Sequence, residues 1–544
     1  MLNNLFNSQT KTITGAAGIL AISSLVSRLL GLVRDRLLAS TFGAGSNLDV
    51  YFAAFRIPDL IYNILIAGGV IVAFLPLFSE YFLKNKEESW KFANNVLNIF
   101  FFFLILISLI LSIFAPIFVK LITPGFNSQQ LSLTILLTRI LFLSPILLGL
   151  SSIFSGILQY FNKFLVYSLS PILYNLGIIL GIIFLAPLSG ILGVTLGVIL
   201  GAFFHFAIQI PSAIGSGFSY KPIFNIRDPK IKRVFSLMIP RTLGVAAPQI
   251  NLMVVTAIAS TLTVGSLSIF NLSNNLQQFP LGLIGIPFAV ATFPLLSQAW
   301  AAIKKEDFVK NFSSTFRQIL FLIIPVGFLI FILKTQIVAI ILKSGRFSQS
   351  AVELTAACLG LFVLGIWANS LIPLIFRAFF AFQDTKTPTI IAIAAMVLNI
   401  FLCLSFVWFL SFPNFFQVFM VNLFSLQKIG NVSVIGLPLA FSIDSILQFS
   451  LLMFFLHKRI GDFRLKAILN SFLKILIASI FVAIGVCLIL GLISPLLPIQ
   501  TFLGVLFQTM IACLFGVLIY ILATFLLKSP EIEPILKKLS YGKH

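Results

Sequence analysis

The sequence predicts an all-α polytopic membrane protein of 14 transmembrane helices, arranged as two six-helix lobes (an internal repeat) plus two C-terminal helices. Three observations predict it: a composition too apolar for water, long apolar runs divided by breakers, and a one-sided distribution of lysine and arginine. Of the 544 residues 59% are hydrophobic and 9% charged, with a mean hydropathy of +1.11, whereas soluble domains carry about 25% charged residues. A water-soluble fold could not hide that much apolar surface. Spanning a hydrocarbon core takes about 20 apolar residues as helix, with every backbone polar group bonded inside the segment.

In chain order, runs and breakers place the first six spans at Gly15 to Phe42, Val50 to Phe82, Asn94 to Leu121, Leu131 to Phe161, Leu165 to Leu185 and Gly190 to Ile214. The next six are Val234 to Thr263, Ser266 to Ala302, Asn311 to Leu342, Ser350 to Phe382, Pro388 to Ser411 and Val432 to His457. Ser471 to Ile493 and Thr501 to Leu527 complete the set. The second and eighth are long enough to bend, and Pro58, Gly68, Gly69 and Pro76 in the one, with Pro280 and Pro287 in the other, supply breakers.

The net charge of +21 would suit nucleic acid, but its distribution argues otherwise. With the N-terminus on the cytoplasmic side, inner segments such as Lys221 to Arg233 and Lys458 to Lys466 hold 23 of the 36 lysines and arginines, against four outside, Lys120, Lys343, Arg346 and Lys428. The positive-inside rule then puts both termini in the cytoplasm and requires an even number of spans. The apolar stretch that begins at Gly15 runs past a signal-peptide h-region and ends in Arg34-Asp35-Arg36, so it is expected to stay as the first helix. Cys358, Cys403, Cys487 and Cys513 sit in apolar runs without metal-ligand spacing and read as small core residues.

The chain also repeats. Ala73 to Glu88 aligns without a gap on Ala291 to Glu306, with Ala73, Pro76, Leu77, Ser79, Lys86 and Glu88 identical to Ala291, Pro294, Leu295, Ser297, Lys304 and Glu306. The division expected is residues 1–220 for helices 1–6, 221–460 for helices 7–12, and 461–544 for helices 13 and 14 with a cytoplasmic tail. Because six is even, both lobes enter from the same side, so an axis along the membrane normal should relate them around a central cavity. Alternating access by rocking of the lobes is what such an architecture leads one to expect.

Chemistry should lie where charge sits in lipid. The first two spans carry Arg28, Arg34, Asp35, Arg36, Asp49, Arg56 and Asp59. An arginine at mid-helix costs roughly 2.5–3.5 kcal/mol on insertion scales, so it should face a cavity and have a partner. The planar guanidinium fork suits phosphate and diphosphate oxygens bidentately. The alternative is that these arginines pair with Asp35, Asp49 and Asp59 to hold helices 1 and 2 together or to gate them. Asp444, deep in the twelfth span, could bind a coupling cation or be a packing residue. No nucleophile elbow, P-loop, H-E-x-x-H or paired catalytic carboxylates support enzymatic chemistry, and no resident cofactor or metal is expected.

Ser27 to Leu60, with its R-L-L-G-L-V-R-D, F-G-A-G and F-R-I-P-D-L elements, resembles the opening of the MurJ (MviN) family of lipid II flippases. Leu169 to Ile179, Asn274 to Gly285 and Arg377 to Pro388 resemble later parts of the same family, in order and across both lobes. The resemblance implies membership of the multidrug/oligosaccharidyl-lipid/polysaccharide exporter superfamily. It implies transport of undecaprenyl-diphosphate-linked peptidoglycan precursor (lipid II) across the bacterial cytoplasmic membrane, driven by a coupling cation or the membrane potential. A cationic cavity would take the diphosphate-sugar headgroup on Arg28, Arg34, Arg56, Asn274, Asn275 and Arg241, and a groove extended by helices 13 and 14 would take the polyprenyl tail. The partners implied are the lipid-linked oligosaccharide, membrane lipids and other cell-wall synthesis proteins, with no nucleic acid.

This chain departs from the family pattern in charge. Tyr62 and Asn63 stand where many members have arginines, Ala67-Gly68-Gly69 replaces A-E-G, and Asn275 stands where an arginine is common. The repeat pairs Arg56 with Asn274, so the first lobe offers charge and the second offers the amides Asn271, Asn274, Asn275, Gln277 and Gln278. Three readings stay open: a flippase for lipid II or another polyprenyl-linked oligosaccharide, a cation-coupled multidrug-type exporter, and a scaffold that has lost transport.

Overall fold

The computed structural model describes residues 13–64, 71–495 and 501–532, except for the side chains of residues 13, 14, 16, 17, 71, 72 and 239–245. Among the described residues all regular structure is helical. By contact the chain divides into two compact units, Met1–Ser268 with Ser344–Arg346, and Ile269–Lys343 with Phe347–His544.

The first unit begins with α1 (Ile13–Phe42), α2 (Ser46–Ala54), α3 (Arg56–Ile61), α4 (Ile71–Lys84), α5 (Lys86–Ile113) and α6 (Ala115–Ile122). It continues with α7 (Ser128–Leu141), α8 (Leu143–Tyr160), α9 (Phe164–Leu180), α10 (Ala186–Ser189), α11 (Ile191–Ala207), α12 (Gln209–Ile214) and α13 (Pro229–Ser260). The boundary at Ser268 lies one helix beyond residue 220 because α13 packs against α3, α4 and α6.

Helix α14 (Ser266–Leu283) leads into the second unit, followed by α15 (Gly285–Ala301), α16 (Lys305–Ile332), α17 (Lys334–Leu342), α18 (Gln349–Leu364) and α19 (Ile366–Ala381). Then come α20 (Lys386–Leu410), α21 (Phe415–Phe424), α22 (Gly436–Ile460), α23 (Leu465–Ile493) and α24 (Phe502–Leu526). The aligned repeat segments fold alike: α4 with Pro76 precedes the 28-residue α5, and α15 with Pro294 precedes the 28-residue α16.

Ten helical stretches among the described residues are long and apolar enough to cross a membrane, and α18 with α19, bent by 46° at Gly365, makes an eleventh. They coincide with the third to sixth and the eighth to fourteenth expected spans. The described residues of the first, second and seventh expected spans are mostly helical as well but more polar. Helix α1 carries Arg28, Arg34, Asp35 and Arg36, α2 and α3 carry Asp49, Arg56 and Asp59, and only Ala246–Ser260 of α13 is an apolar stretch. The second span breaks at Phe55, three residues before Pro58; Pro76 lies inside α4, and Gly68 and Gly69 lie outside the described residues. The eighth breaks at Ile284, between Pro280 inside α14 and Pro287 in the first turn of α15.

Local chemistry explains the helix starts and the tight contacts. Asn85 caps α5 by accepting from the Glu87 and Glu88 N–H groups, and Asn127 with Gln130 forms a reciprocal capping box on α7. Helices α9 and α11 meet through glycine: a Cβ on Gly177 would lie 2.3 Å from the Gly201 Cα.

Three asparagines of α5 hold the connection between α12 and α13. Asn94 accepts from Lys221 N–H (2.8 Å) and donates to the Ser219 carbonyl (2.9 Å). Asn95 makes the same two-way pair with the Asn225 backbone, at 2.7 and 3.0 Å. Asn98 donates to the Lys221 and Ile223 carbonyls at 3.0 and 2.9 Å. Two ion pairs extend the fastening onto α13, Lys230 with Glu88 (2.6 Å) and Arg233 with Glu80 (3.1 Å).

In the second unit the last two helices are more than an addition. Helix α23 packs along α16, the Tyr520 hydroxyl of α24 donates to the Phe321 carbonyl (2.6 Å), and Arg317 forms an ion pair with the buried Glu531 at 2.7 Å. Of the cysteines expected in the core, Cys358 and Cys403 are buried and Cys513 is half-buried, but Cys487 is exposed.

Candidate functional site

Polar residues of α1 meet α9 at Asn175. The Arg34 guanidinium donates to Asp35 Oδ1 through Nε (3.0 Å) and Nη2 (2.8 Å), and to Asn175 Oδ1 through Nη1 (3.2 Å). The Asn175 amide in turn donates to the Ser27 hydroxyl and to the Pro171 carbonyl, both at 3.2 Å. Arg34 and Asp35 therefore form one network with Ser27 and Asn175 inside the first unit.

Asp49, in the first turn of α2, has different partners from the arginines considered above. Its buried carboxylate accepts from the Gly265 N–H (2.6 Å), the Ser268 N–H (2.7 Å) and the Ser268 hydroxyl (2.5 Å). It caps the start of α14. Gly265 has φ +94°, and a Cβ there would lie 2.4 Å from the Ala44 carbonyl oxygen, so glycine is required where the chain turns over α2.

Arg56 follows the break at Phe55, and its Nε donates to the Thr256 hydroxyl of α13 at 2.7 Å. A neutral hydroxyl thus steadies the guanidinium on its Nε edge. Asp59, one turn on, lines a cavity of about 310 Å³ with Tyr62, Asn63, Ser144, Tyr174 and His205 among its walls. Tyr62 and Asn63, the positions where family charge is missing, both face this cavity. Arg28 lies at a second cavity of about 460 Å³, between α1 and α9. The Arg241 side chain lies outside the described residues.

In the second unit Asn274 and Asn275 are half-buried on α14, with the Gln277 amide donating to Asn274 Oδ1 at 3.2 Å. Asp444 on α22 is 8% exposed, and its Oδ1 is buried without a hydrogen bond. Asn399 Nδ2 on α20, the helix that packs against α22, is likewise buried without one. An apolar cavity of about 340 Å³ is lined by Ile324 to Phe331 of α16, Val363 to Trp367 at the α18–α19 bend, and Phe472 and Leu476 of α23. Helix α24 does not line it.

Chemically, the first unit offers the Arg28 guanidinium at one cavity and hydroxyls at two, a combination suited to an anion carrying polar substituents. Sequence reasoning brought Arg28, Arg34 and Arg56 to attention but missed Asn175, Thr256 and the hydroxyls around Arg28. Asn175 had a signal, a lone amide inside a long apolar run; Thr256 had none, since threonine is common in such helices.

The family model described as Lipid II flippase MurJ matches residues 38–507. The chain belongs to the MurJ family. Probable lipid II flippase MurJ of Vibrio cholerae is 30% identical over 403 residues, covering 72% of this chain and 77% of that protein. Lipid II flippase MurJ of Burkholderia cenocepacia is 28% identical over 385 residues, covering 69% and 75%. A solved lipid II flippase MurJ in an inward closed conformation superposes with a TM-score of 0.74 at 26% identity, over 95% of this chain and 99% of that one. The fold alone is shared with an inward-facing multidrug MATE transporter of the MOP superfamily, TM-score 0.63 at 14% identity, over 80% and 95%. The family and the apolar helices together make the chain a multi-pass membrane protein of a transporter family.

Proposed function

We propose that this chain is a flippase that carries lipid II from the inner to the outer leaflet of the cytoplasmic membrane by alternating access. The observation that carries the reading is Arg56, matched to the family's F-R-I-P-D-L element and placed at a helix break inside a polar second span, with its Nε held by Thr256. A guanidinium in that position binds diphosphate oxygens strongly because little water competes. Arg28 and Arg34, with Arg241, complete the cationic side of the headgroup site. Asp35, Asp49 and Asp59 position or gate these helices.

With α1, α2–α4 and α13 counted as the polar spans, the chain crosses fourteen times, with both termini in the cytoplasm and the repeat lobes at residues 1–220 and 221–460. The segment 461–544 adds helices 13 and 14, and the apolar cavity between α16 and α23 guides the polyprenyl tail. In lipid most of the driving force for burying that tail is absent, so the groove orients rather than grips it. Asp444 holds a coupling cation or proton, because a buried carboxylate oxygen without a hydrogen bond is costly unless a positive charge reaches it.

The test is rescue of a bacterial cell depleted of its own lipid II flippase. Growth restored by this chain, and lost with Arg56→Ala at equal membrane levels, supports the reading; failure of the wild-type chain to rescue counts against it. Reporter fusions at Gly45 and Ser494 should read external and one at Asn225 cytoplasmic.

A further inference from the structure

Ser23, Ser24, Ser27 and Arg28 of α1, with Leu20, face Tyr167, Ser168 and Pro171 of α9 across a cavity of about 460 Å³ that lies within the first unit. A serine or threonine inside a membrane helix ordinarily donates to a carbonyl one turn back. Elsewhere in this unit Ser79, Ser152, Ser170 and Thr195 each do so, to the residue four positions before. Ser168 donates to the Leu165 carbonyl, and Ser27 is bonded by Asn175.

The Ser23, Ser24 and Tyr167 hydroxyls differ. None of them forms a hydrogen bond among the described residues, although all three line the cavity and Ser23 is only 8% exposed. Pro171 adds to this polarity, because it lacks the N–H that would otherwise reach the Tyr167 carbonyl. Hydroxyls left without partners in a membrane span are costly unless something polar fills the space. Each can both donate and accept, which is what the hydroxyls of a sugar ring require. The volume falls in the range of small-molecule sites, about 300–1,000 Å³, and Arg28 puts a phosphate-binding group at the same wall.

We propose that this cavity reads the sugar joined to the diphosphate of the lipid-linked substrate, with Ser23, Ser24 and Tyr167 bonding the ring and Arg28 the adjoining phosphate. The assignment rests on the flippase reading above and goes further, since it names the groups that tell a sugar-bearing carrier from a bare one.

The experiment uses the full chain in nanodiscs and two probes, lipid II and undecaprenyl diphosphate without sugar. Wild type should prefer lipid II. The triple variant Ser23→Ala, Ser24→Ala, Tyr167→Phe should bind the bare carrier as wild type does, which also reports that it is folded, while its preference for lipid II falls about 10- to 100-fold. Arg28→Ala should weaken both probes by a similar factor. An unchanged preference in the triple variant overturns the proposal, as does an equal loss of both probes, which would assign the hydroxyls to the fold or to a phosphate. If wild type binds neither probe, the flippase reading falls first and this assignment with it.

Discussion

Replacing Asp49 by alanine removes a carboxylate that is 3% exposed and leaves three donors, the N–H groups of Gly265 and Ser268 and the Ser268 hydroxyl, without their acceptor. An unsatisfied buried donor costs about 1–3 kcal/mol, so three of them set a loss of at least roughly 3 kcal/mol. Asp49→Asn retains one acceptor oxygen and loses the charge assistance, so it should cost about half as much. At roughly 2–4 °C per kcal/mol for a unit of this size, the alanine variant should melt about 6–12 °C below wild type. Size-exclusion chromatography of heated, detergent-solubilised protein reads the midpoint directly. An alanine variant that melts with the wild type would refute the reasoning, because it would mean that water or another group serves those donors equally well.

Arg28→Ala and Arg56→Ala should abolish flipping in a complementation or proteoliposome assay, each losing on the order of 2–3 kcal/mol of charge-assisted contact, while Asn274→Ala and Asn275→Ala lose about 1 kcal/mol and merely weaken it. Arg56→Lys should keep partial activity, since the charge stays and the fork is lost; wild-type rates for both alanine variants would move the diphosphate site elsewhere. Arg317→Leu alone strands Glu531 and should lower the melting temperature more than the Arg317→Leu, Glu531→Leu pair does, and a double variant as unstable as the single one would contradict that account. The turn between α19 and α20 gives a pH test. Burial pushes the Asp384 carboxyl up, but the Thr387 N–H and hydroxyl together with Arg459 outweigh it and hold the group below its ordinary range. A depressed carboxylate contributes stability above its unfolded value and loses it as pH falls through the folded one, so Asp384→Asn should destabilise at neutral pH, with the gap to wild type starting to close only below about pH 4 and gone once the pH is under the depressed folded value. A gap that persists in acid would show that the ion pair is not its source.

The membrane helices were legible because a span is a local property, readable from about twenty consecutive residues without reference to the rest of the chain. The bend at Gly365 and the short helix Phe415–Phe424 were not, since neither changes the local apolar count much. The candidate site was legible only as far as charge in lipid is conspicuous. Arg34 and Asp35 stood out, but the third member of their network, Asn175, is 141 positions from Arg34. The donors to Asp49 lie 216 and 219 positions away, so a reading of neighbours could only pair it with the nearby arginines. The last two helices show the same limit. Arg317 and Phe321 of α16 are bonded to Glu531 and Tyr520, so a truncation after His457 would strand a half-buried guanidinium.

The asparagine fastening of the segment between α12 and α13 touches only backbone atoms, at Ser219, Lys221, Ile223 and Asn225. A device that grips peptide groups is indifferent to side chains but measures out residues along the chain. Substitutions across 219–225 should therefore drift freely among relatives, with proline barred at 221 and 225, where the N–H is used. Insertions and deletions have no such freedom, since one residue more or fewer would put every later peptide group out of step with Asn95 and Asn98. The segment between α12 and α13 should thus keep its length, set by three asparagines more than a hundred residues upstream of it.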